Sequence, residues 1–251
     1  MSCVTIRGCR IGEGRTKVII PLVERSETAV LERAAEFSTL RADCVEWRAD
    51  WLDAASDPQA VARCLCGLRS ALGDKLLLVT FRTQAEGGQK PLTLEQYAAF
   101  CEQVCASGCA DLLDLELFPA GDALPALITQ AHAAGLRVVC SSHDFSGTPL
   151  RAELVARMVQ MQQAGADIAK VAVMPRSRQD VLELLSATAE MAELHPETPV
   201  ITMSMGTLGA VSRLCGEAMG SAMTFANAGQ ASAPGQIELD LLNAVLDCLH
   251  R

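Results

Sequence analysis

Eight short apolar runs recur along this chain, each separated from the next by a stretch with helical spacing. They fall at 17–22, 43–48, 75–82, 111–117, 137–142, 167–175, 199–205 and 222–225. Between them the sequence predicts helices at 26–40 behind Ser26, from Asp57-Pro58 onward, and at 93–107. An Ala-rich helix follows the fourth run, and a last helix falls within 234–250. Most of the runs show little alternation of polar and apolar residues, as strands covered on both faces do. Strands alternating with helices build a parallel sheet, because parallel neighbours need a crossover and the helix supplies it. Eight such units in 251 residues predict a (β/α)8 TIM barrel. A doubly wound open sheet is the other arrangement of the same parts. Residues 4–11, broken by Gly8, read as a short N-terminal hairpin. No linker, low-complexity tract or clear repeat interrupts the pattern, so a single domain over 1–251 is expected.

The formal net charge of −9 argues against nucleic acid or an anionic membrane as partner, since either needs a basic face. It leaves room for a small anionic substrate held by local arginines. No apolar run approaches a membrane span, and the N-terminal residues lack the apolar core of an export signal. Eleven cysteines, an odd number, fit free thiols in a reducing cytoplasm. Cys64 and Cys66 form C-x-C and not the C-x-x-C of a zinc knuckle. Cys101, Cys105 and Cys109 have the spacing of one helix face and read as small core hydrophobes.

Lys170 stands in the middle of the sixth run, Ile168-Ala169-Lys170-Val171-Ala172-Val173. A lysine on a covered strand is almost never buried without a reason. In a barrel, chemistry is built at the carboxyl ends of the strands, and polar residues collect there. They include Glu46 and Arg48 on the second run, Arg82 with Glu86-Gly87-Gly88 after the third, and Asp114 and Glu116 on the fourth. His143 follows the fifth, and Arg213 follows the seventh beyond Gly206 and Gly209, where a barrel can hold phosphate. The Ala, Gly, Ser and Pro-rich stretch 227–236 is long enough for a lid.

An amine of ordinary pKa, about 10.4, is mostly protonated at neutral pH. Apolar surroundings and nearby arginines release it as a nucleophile. With a ketone it forms a Schiff base, whose cationic nitrogen makes a neighbouring C–H acidic. His143, one strand away, is the candidate base, and Glu86 is placed to hold its tautomer. An arginine can grip a substrate carboxylate in a bidentate fork. No metal-ligand grouping stands out, so the iminium itself is the expected electron sink.

These stretches together make the chain resemble the type I 3-dehydroquinate dehydratases. The resemblance rests on Glu46-Trp47-Arg48, Thr80-Phe81-Arg82, Glu86-Gly87-Gly88, Asp114-Leu115-Glu116, Ser142-His143-Asp144-Phe145, the Lys170 run to Pro175, Met203-Ser204-Met205, Ser212-Arg213 and Ala231-Ser232-Ala233-Pro234-Gly235-Gln236. It implies a lyase of the shikimate pathway, cytoplasmic and homodimeric, with no added cofactor and no metal. Lys170 would form the imine with the C3 ketone of 3-dehydroquinate, and His143, paired with Glu86, would take the C2 proton and return one to the departing C1 hydroxyl. Arg213, helped by Gln236, would bind the carboxylate, with Ser232 on the closing loop, and Glu46, Arg48 and Arg82 would hold the ring hydroxyls. Pro21 departs from the pattern, where the family often has a serine, and removes one hydroxyl and one N–H from that position. The residues alone also allow a Schiff-base aldolase acting on a sugar phosphate, or a silent binding module for a hydroxy acid.

Overall fold

Side-chain direction alternates along every strand, and in this protein the alternation separates two cores. The computed structural model describes residues 2–250. On the strand Lys17–Leu22, Val18, Ile20 and Leu22 face the surrounding helices while Ile19 faces the barrel interior. The chain opens with a hairpin, β1 (Val4–Ile6) and β2 (Cys9–Ile11), turned by Arg7 and Gly8, both at positive φ as a tight primed turn requires. Eight parallel strands follow: β3 (Lys17–Leu22), β4 (Cys44–Arg48), β5 (Leu76–Thr80), β6 (Leu112–Glu116), β7 (Arg137–Asp144), β8 (Ile168–Val173), β9 (Val200–Ser204) and β10 (Met223–Asn227). They hydrogen-bond in the order β10-β3-β4-β5-β6-β7-β8-β9. The ring closes between β9 and β10 through a bridge from Val200 to Ser221, with Ala222 N–H donating to Val200 O at 2.8 Å. Above that bridge the short β11 (Ile237–Glu238) occupies the free edge of β10, pairing Ile237 with Ala226. The barrel seam therefore holds the return strand of the lid.

The helices are α1 (Glu27–Ser38), α2 (Pro58–Leu72), α3 (Leu94–Ser107), the short α4 (Leu117–Ala120), α5 (Leu124–Ala133), α6 (Arg151–Gln163), α7 (Arg178–Leu194), the short α8 (Ala210–Leu214) and α9 (Gly216–Met219), and α10 (Leu239–Leu249). Their starts follow from local chemistry. Ser26 accepts from Ala29 N, Asp57 accepts from Gln59 N ahead of Pro58, and Thr93 forms a capping box with Gln96. None of the helices among the described residues is long and apolar enough to cross a membrane.

The outer core lies between sheet and helices. The inner one fills the barrel with Ile19, Cys44, Leu76, Leu78, Leu112, Val139, Ile168, Ile201 and Met223, and Ile11 of the hairpin joins it. The observed (β/α)8 barrel with its hairpin matches the expectation, with four local differences. β7 runs on to Asp144, so His143 stands on the strand and not after it. β10 runs on to Asn227. The last helix begins at Leu239, capped by Glu238, because residues 234–238 are taken by the lid and β11. Cys101 and Cys105 are buried on α3 as expected, but Gly108 turns left-handed (φ 62°) and ends the helix, so Cys109 leaves that face.

Candidate active site

The inward positions change character along each strand. β4 runs Cys44, Glu46, Arg48; β6 runs Leu112, Asp114, Glu116; β7 runs Val139, Ser141, His143; and β8 runs Ile168, Lys170, Ala172. The apolar residues at one end are core, and the polar ones at the carboxyl end surround a cavity at the barrel mouth. Of the residues singled out in the sequence, Glu46, Arg48, Arg82, Glu86, His143, Lys170, Ser232 and Gln236 line it, together with Gly87, Phe145, Ala172, Met203, Met205, Ala233 and Phe225.

Lys170 is 3% exposed. Its Nζ lies 3.2 Å from Asp114 Oδ2, 3.6 Å from Glu46 Oε1 and 4.7 Å from the Phe225 ring centroid. Its nearest charged partners are thus carboxylates, whereas the sequence reading expected arginines. The guanidinium nearest in the network, Arg82, is occupied elsewhere. It donates to Glu116 Oε1 at 2.7 Å, to Ser141 Oγ at 2.9 Å and to Asp114 Oδ1 at 2.9 Å. Burial opposes the charge on Arg82, but Asp114, Glu116 and Glu86 outweigh it and raise its pKa. Asp114 mirrors this: burial disfavours its charge, yet Arg82 and Lys170 hold its carboxyl below the ordinary value. Asp114, noted in the sequence only among the polar residues of the fourth run, is the group that joins Lys170 to Arg82.

His143 stands beside Ala172 in the β7–β8 register, two residues above the Ser141–Lys170 pair. Both side chains therefore face the same cavity from adjacent strands. His143 Nδ1 lies 2.8 Å from Glu86 Oε2, which also accepts the His143 backbone N–H at 3.1 Å. In the tautomer whose Nδ1 donates to this oxygen, the Nε2 lone pair faces the cavity side as the base. Burial pushes the imidazole well below the ordinary histidine value, and Arg82, Lys170 and Arg48 push the same way. Burial also pushes the Glu86 carboxyl up to about 8, against the pull of Arg82. Its other oxygen, Oε1, is buried without a hydrogen-bond partner. The two glycines after Glu86 are required by contact. A Cβ on Gly87 (φ 85°) would strike the Phe145 ring, and one on Gly88 would strike the Arg82 carbonyl.

Arg48 is held in a fork by Asp50, with Nε to Oδ1 and Nη2 to Oδ2 both 2.8 Å. Asp50 is fully buried and also accepts from the backbone N–H of Arg82 at 3.3 Å and of Gln89 at 3.1 Å. The sequence reading missed it. The available signal was a carboxylate two residues beyond an arginine at a strand end.

Arg213 is buried but does not line the cavity. Its Nη2 donates to Pro234 O at 3.1 Å and its Nη1 lies 3.8 Å from Met203 Sδ. Burial pushes its pKa down to about 10. The lid lies over the mouth, with Gln236 Oε1 accepting from Ser232 N at 2.9 Å and Gln236 Nε2 donating to Ser232 Oγ at 3.1 Å. Gly206 N–H donates to Pro234 O at 3.1 Å, and a Cβ on Gly235 (φ 76°) would strike Gly206. Gly209 packs against the Ser204 backbone. Gly206 and Gly209 thus seat the lid and the β9 turn, which removes the reason for reading them as a phosphate site. Pro21 is buried on β3 opposite Glu46.

Comparison with known proteins agrees with this geometry. Residues 18–251 match the family model of type I 3-dehydroquinase. A 3-dehydroquinate dehydratase of Clostridium kluyveri is 47% identical over 98% of this chain and 96% of its own length. A solved type I 3-dehydroquinate dehydratase from Clostridium difficile, described with covalently modified comenic acid, superposes with a TM-score of 0.96 at 41% identity, covering 99% of this chain and 98% of that one. The Enterococcus faecalis 3-dehydroquinate dehydratase gives 0.93 at 40% identity, over 99% of this chain and 100% of that one. With its barrel, its polar mouth and its full-length match, the chain belongs to the type I 3-dehydroquinase family.

Proposed function

We propose that this protein dehydrates 3-dehydroquinate to 3-dehydroshikimate through an imine on Lys170. The observation that carries the reading is the pair of buried groups on adjacent strands, Lys170 and His143, facing one cavity with His143 held by Glu86. The neutral amine adds to the C3 ketone, one proton is taken up and water leaves, giving a cationic imine whose later hydrolysis returns that proton. Its positive charge draws electrons from C2, and neutral His143 removes a proton there. The resulting enamine expels the C1 hydroxyl, which takes that proton from His143 and departs as water. Water then hydrolyses the imine and frees Lys170. One water enters and two leave, so the net change is one dehydration.

Burial supports each role. A neutral imidazole is the form that accepts a proton, and burial favours it at His143. Arg213 holds its charge in a buried setting that suits an anion, with the lid's Ser232 and Gln236 beside the same mouth. Arg48 and Arg82, fixed by Asp50 and by Asp114 with Glu116, supply rigid donors for ring hydroxyls, and Glu46 supplies an acceptor. The iminium serves as electron sink, so the reading calls for no metal or added cofactor.

Borohydride reduces a cationic imine to a stable amine. Incubation with 3-dehydroquinate and borohydride is expected to add one ligand mass, mapped to the peptide containing Lys170. An adduct at another residue, or an unmodified protein, refutes the imine. His143→Ala is expected to keep that adduct and stall elimination.

A further inference from the structure

We propose that Cys66 and Cys109 are a paired thiol site that closes to a reversible intramolecular disulfide at the end of the barrel opposite the catalytic mouth. The sequence reading treated Cys101, Cys105 and Cys109 as core packing, and burial agrees for Cys101 and Cys105, as it does for Cys44, Cys64 and Cys140. Cys66 and Cys109 differ. Cys66 is exposed on α2, and Cys109 is half-buried just before β6. The left-handed turn at Gly108 brings the Cys109 sulfur back to α2, where the two Sγ atoms lie 3.5 Å apart. A disulfide needs about 2.05 Å. The remaining gap is within reach of side-chain rotation, because Cys109 sits in a connecting segment beyond the helix.

A second, independent contact holds the two segments together. Arg69, one turn along α2 from Cys66, donates to Asp111 Oδ2 at 2.7 Å, and Asp111 lies two residues from Cys109. Asp111 in turn accepts the Leu77 backbone N–H at 2.8 Å. The ion pair and the strand bond fix the approach of the thiols without any help from sulfur. Cys109 Sγ is further oriented by the Ser107 carbonyl at 3.2 Å. Preorganisation of this kind makes the second step of thiol–disulfide exchange intramolecular and fast.

The oxidant is a low-molecular-weight disulfide, RSSR. The exposed Cys66 thiolate attacks one of its sulfurs, releasing RS⁻ and leaving Cys66–S–SR. The Cys109 thiolate then attacks the Cys66 sulfur and expels the second RS⁻. The two cysteine protons go to the two released thiolates, so two thiols and one RSSR become one protein disulfide and two RSH. Burial and the neighbouring Cys66 raise the Cys109 thiol, so the second attack draws on the short sulfur–sulfur approach and not on thiolate content.

The test uses the full chain in oxidised glutathione, quenched in acid and then alkylated. The expected result is two fewer alkylated thiols than in the reduced protein, no retained glutathione, and one cross-linked peptide pair containing Cys66 and Cys109. Dithiothreitol should restore full labelling. Cys109→Ser is expected to stop at the mixed disulfide, with glutathione trapped on Cys66. Stable glutathionylation of Cys66 in the unaltered protein overturns the proposal. So does a disulfide joining other cysteines, or a cross-link between two chains through Cys66.

Discussion

Replacing Glu86 by glutamine keeps the shape of the side chain and removes its titration. Burial raises the Glu86 carboxyl from an ordinary 4.5 to about 8, with Glu116 and Asp114 adding to the rise and Arg82 opposing it. A group whose pKa is raised on folding stabilises the fold fully below its unfolded value and loses that contribution as pH rises through the folded one. The gap from 4.5 to about 8, at about 1.36 kcal/mol per pH unit, is worth about 5 kcal/mol. About 3 kcal/mol of it falls between about pH 5.5 and pH 9, where the rest of the protein is readily studied. Glutamine has no such dependence. The stability of Glu86→Gln relative to the unaltered protein should therefore climb by about 3 kcal/mol across that window. Any hydrogen bond lost to His143 adds only a constant offset. The assay is urea unfolding of both proteins at several pH values, read as the difference in unfolding free energy. His143 titrates in both chains and largely cancels in that difference. A difference flat with pH would show that Glu86 is ionised at an ordinary pKa, and the electrostatic account of the His143–Glu86 pair would fail. Activity should move the other way. Above about pH 8 an ionised Glu86 can stabilise a protonated His143 and glutamine cannot, so kcat of the variant is expected to fall there while its relative stability rises.

Asp50→Asn removes the charge that forks Arg48 and replaces an acceptor facing two backbone N–H groups with a donor. A shift of about 1 Å in a positioning group costs up to about 100-fold, and a rise in KM with kcat/KM down about 10- to 100-fold is expected. Steady-state kinetics separates this from simple unfolding, and Asp50→Glu, which retains the charge, should recover part of the loss. Lys170→Met should abolish turnover and borohydride trapping. It also strands Glu46 and half of Asp114 in a buried site, a change that costs about 3 to 5 kcal/mol when one partner of a buried pair is removed, readable by denaturant unfolding. The imidazole of His143, lowered by burial and three cations, stays neutral below the ordinary histidine value. The acid limb of kcat/KM should accordingly fall below pH 6.5 (about the free value), and an acid limb above it would contradict the environment described.

The barrel was legible because every covered strand is a short apolar run, and a covered strand admits few other readings. The site was legible because a charge in such a run must be explained. Lys170 and Glu46 break apolar strands, and Glu86 precedes two glycines that no turn type alone demands. What the sequence hid depends on distance. Asp50 lies in the turn after β4, and nothing in its spacing reveals that it receives N–H groups from residues 82 and 89. The last helix falls within 234–250 as expected, but its start at Leu239 was not marked in the sequence, because Gly235 and the seam pairing of β11 hold the residues before it extended. The partners of Lys170 were also hidden. Sequence order puts Arg48 and Arg82 near the lysine as readily as Asp114, and the choice between them is made by Glu116 and Ser141, which draw Arg82 away.

That choice bears on the chemistry. An ammonium and a protonated imine carry the same charge at nearly the same point. Asp114 at 3.2 Å and Glu46 at 3.6 Å face that charge before any ligand arrives. The Phe225 ring, 4.7 Å away, adds its negative face. Carboxylates that are already fixed, Asp114 by Arg82 and Ser141 and Glu46 by Thr80 at 3.0 Å, would need no reorganisation on forming the proposed imine. Stabilisation by fixed groups in a desolvated site is the form worth most to catalysis. Arginines beside Lys170 would have eased loss of its proton but would then have opposed the cationic intermediate. The arrangement seen here favours the proposed cationic intermediate.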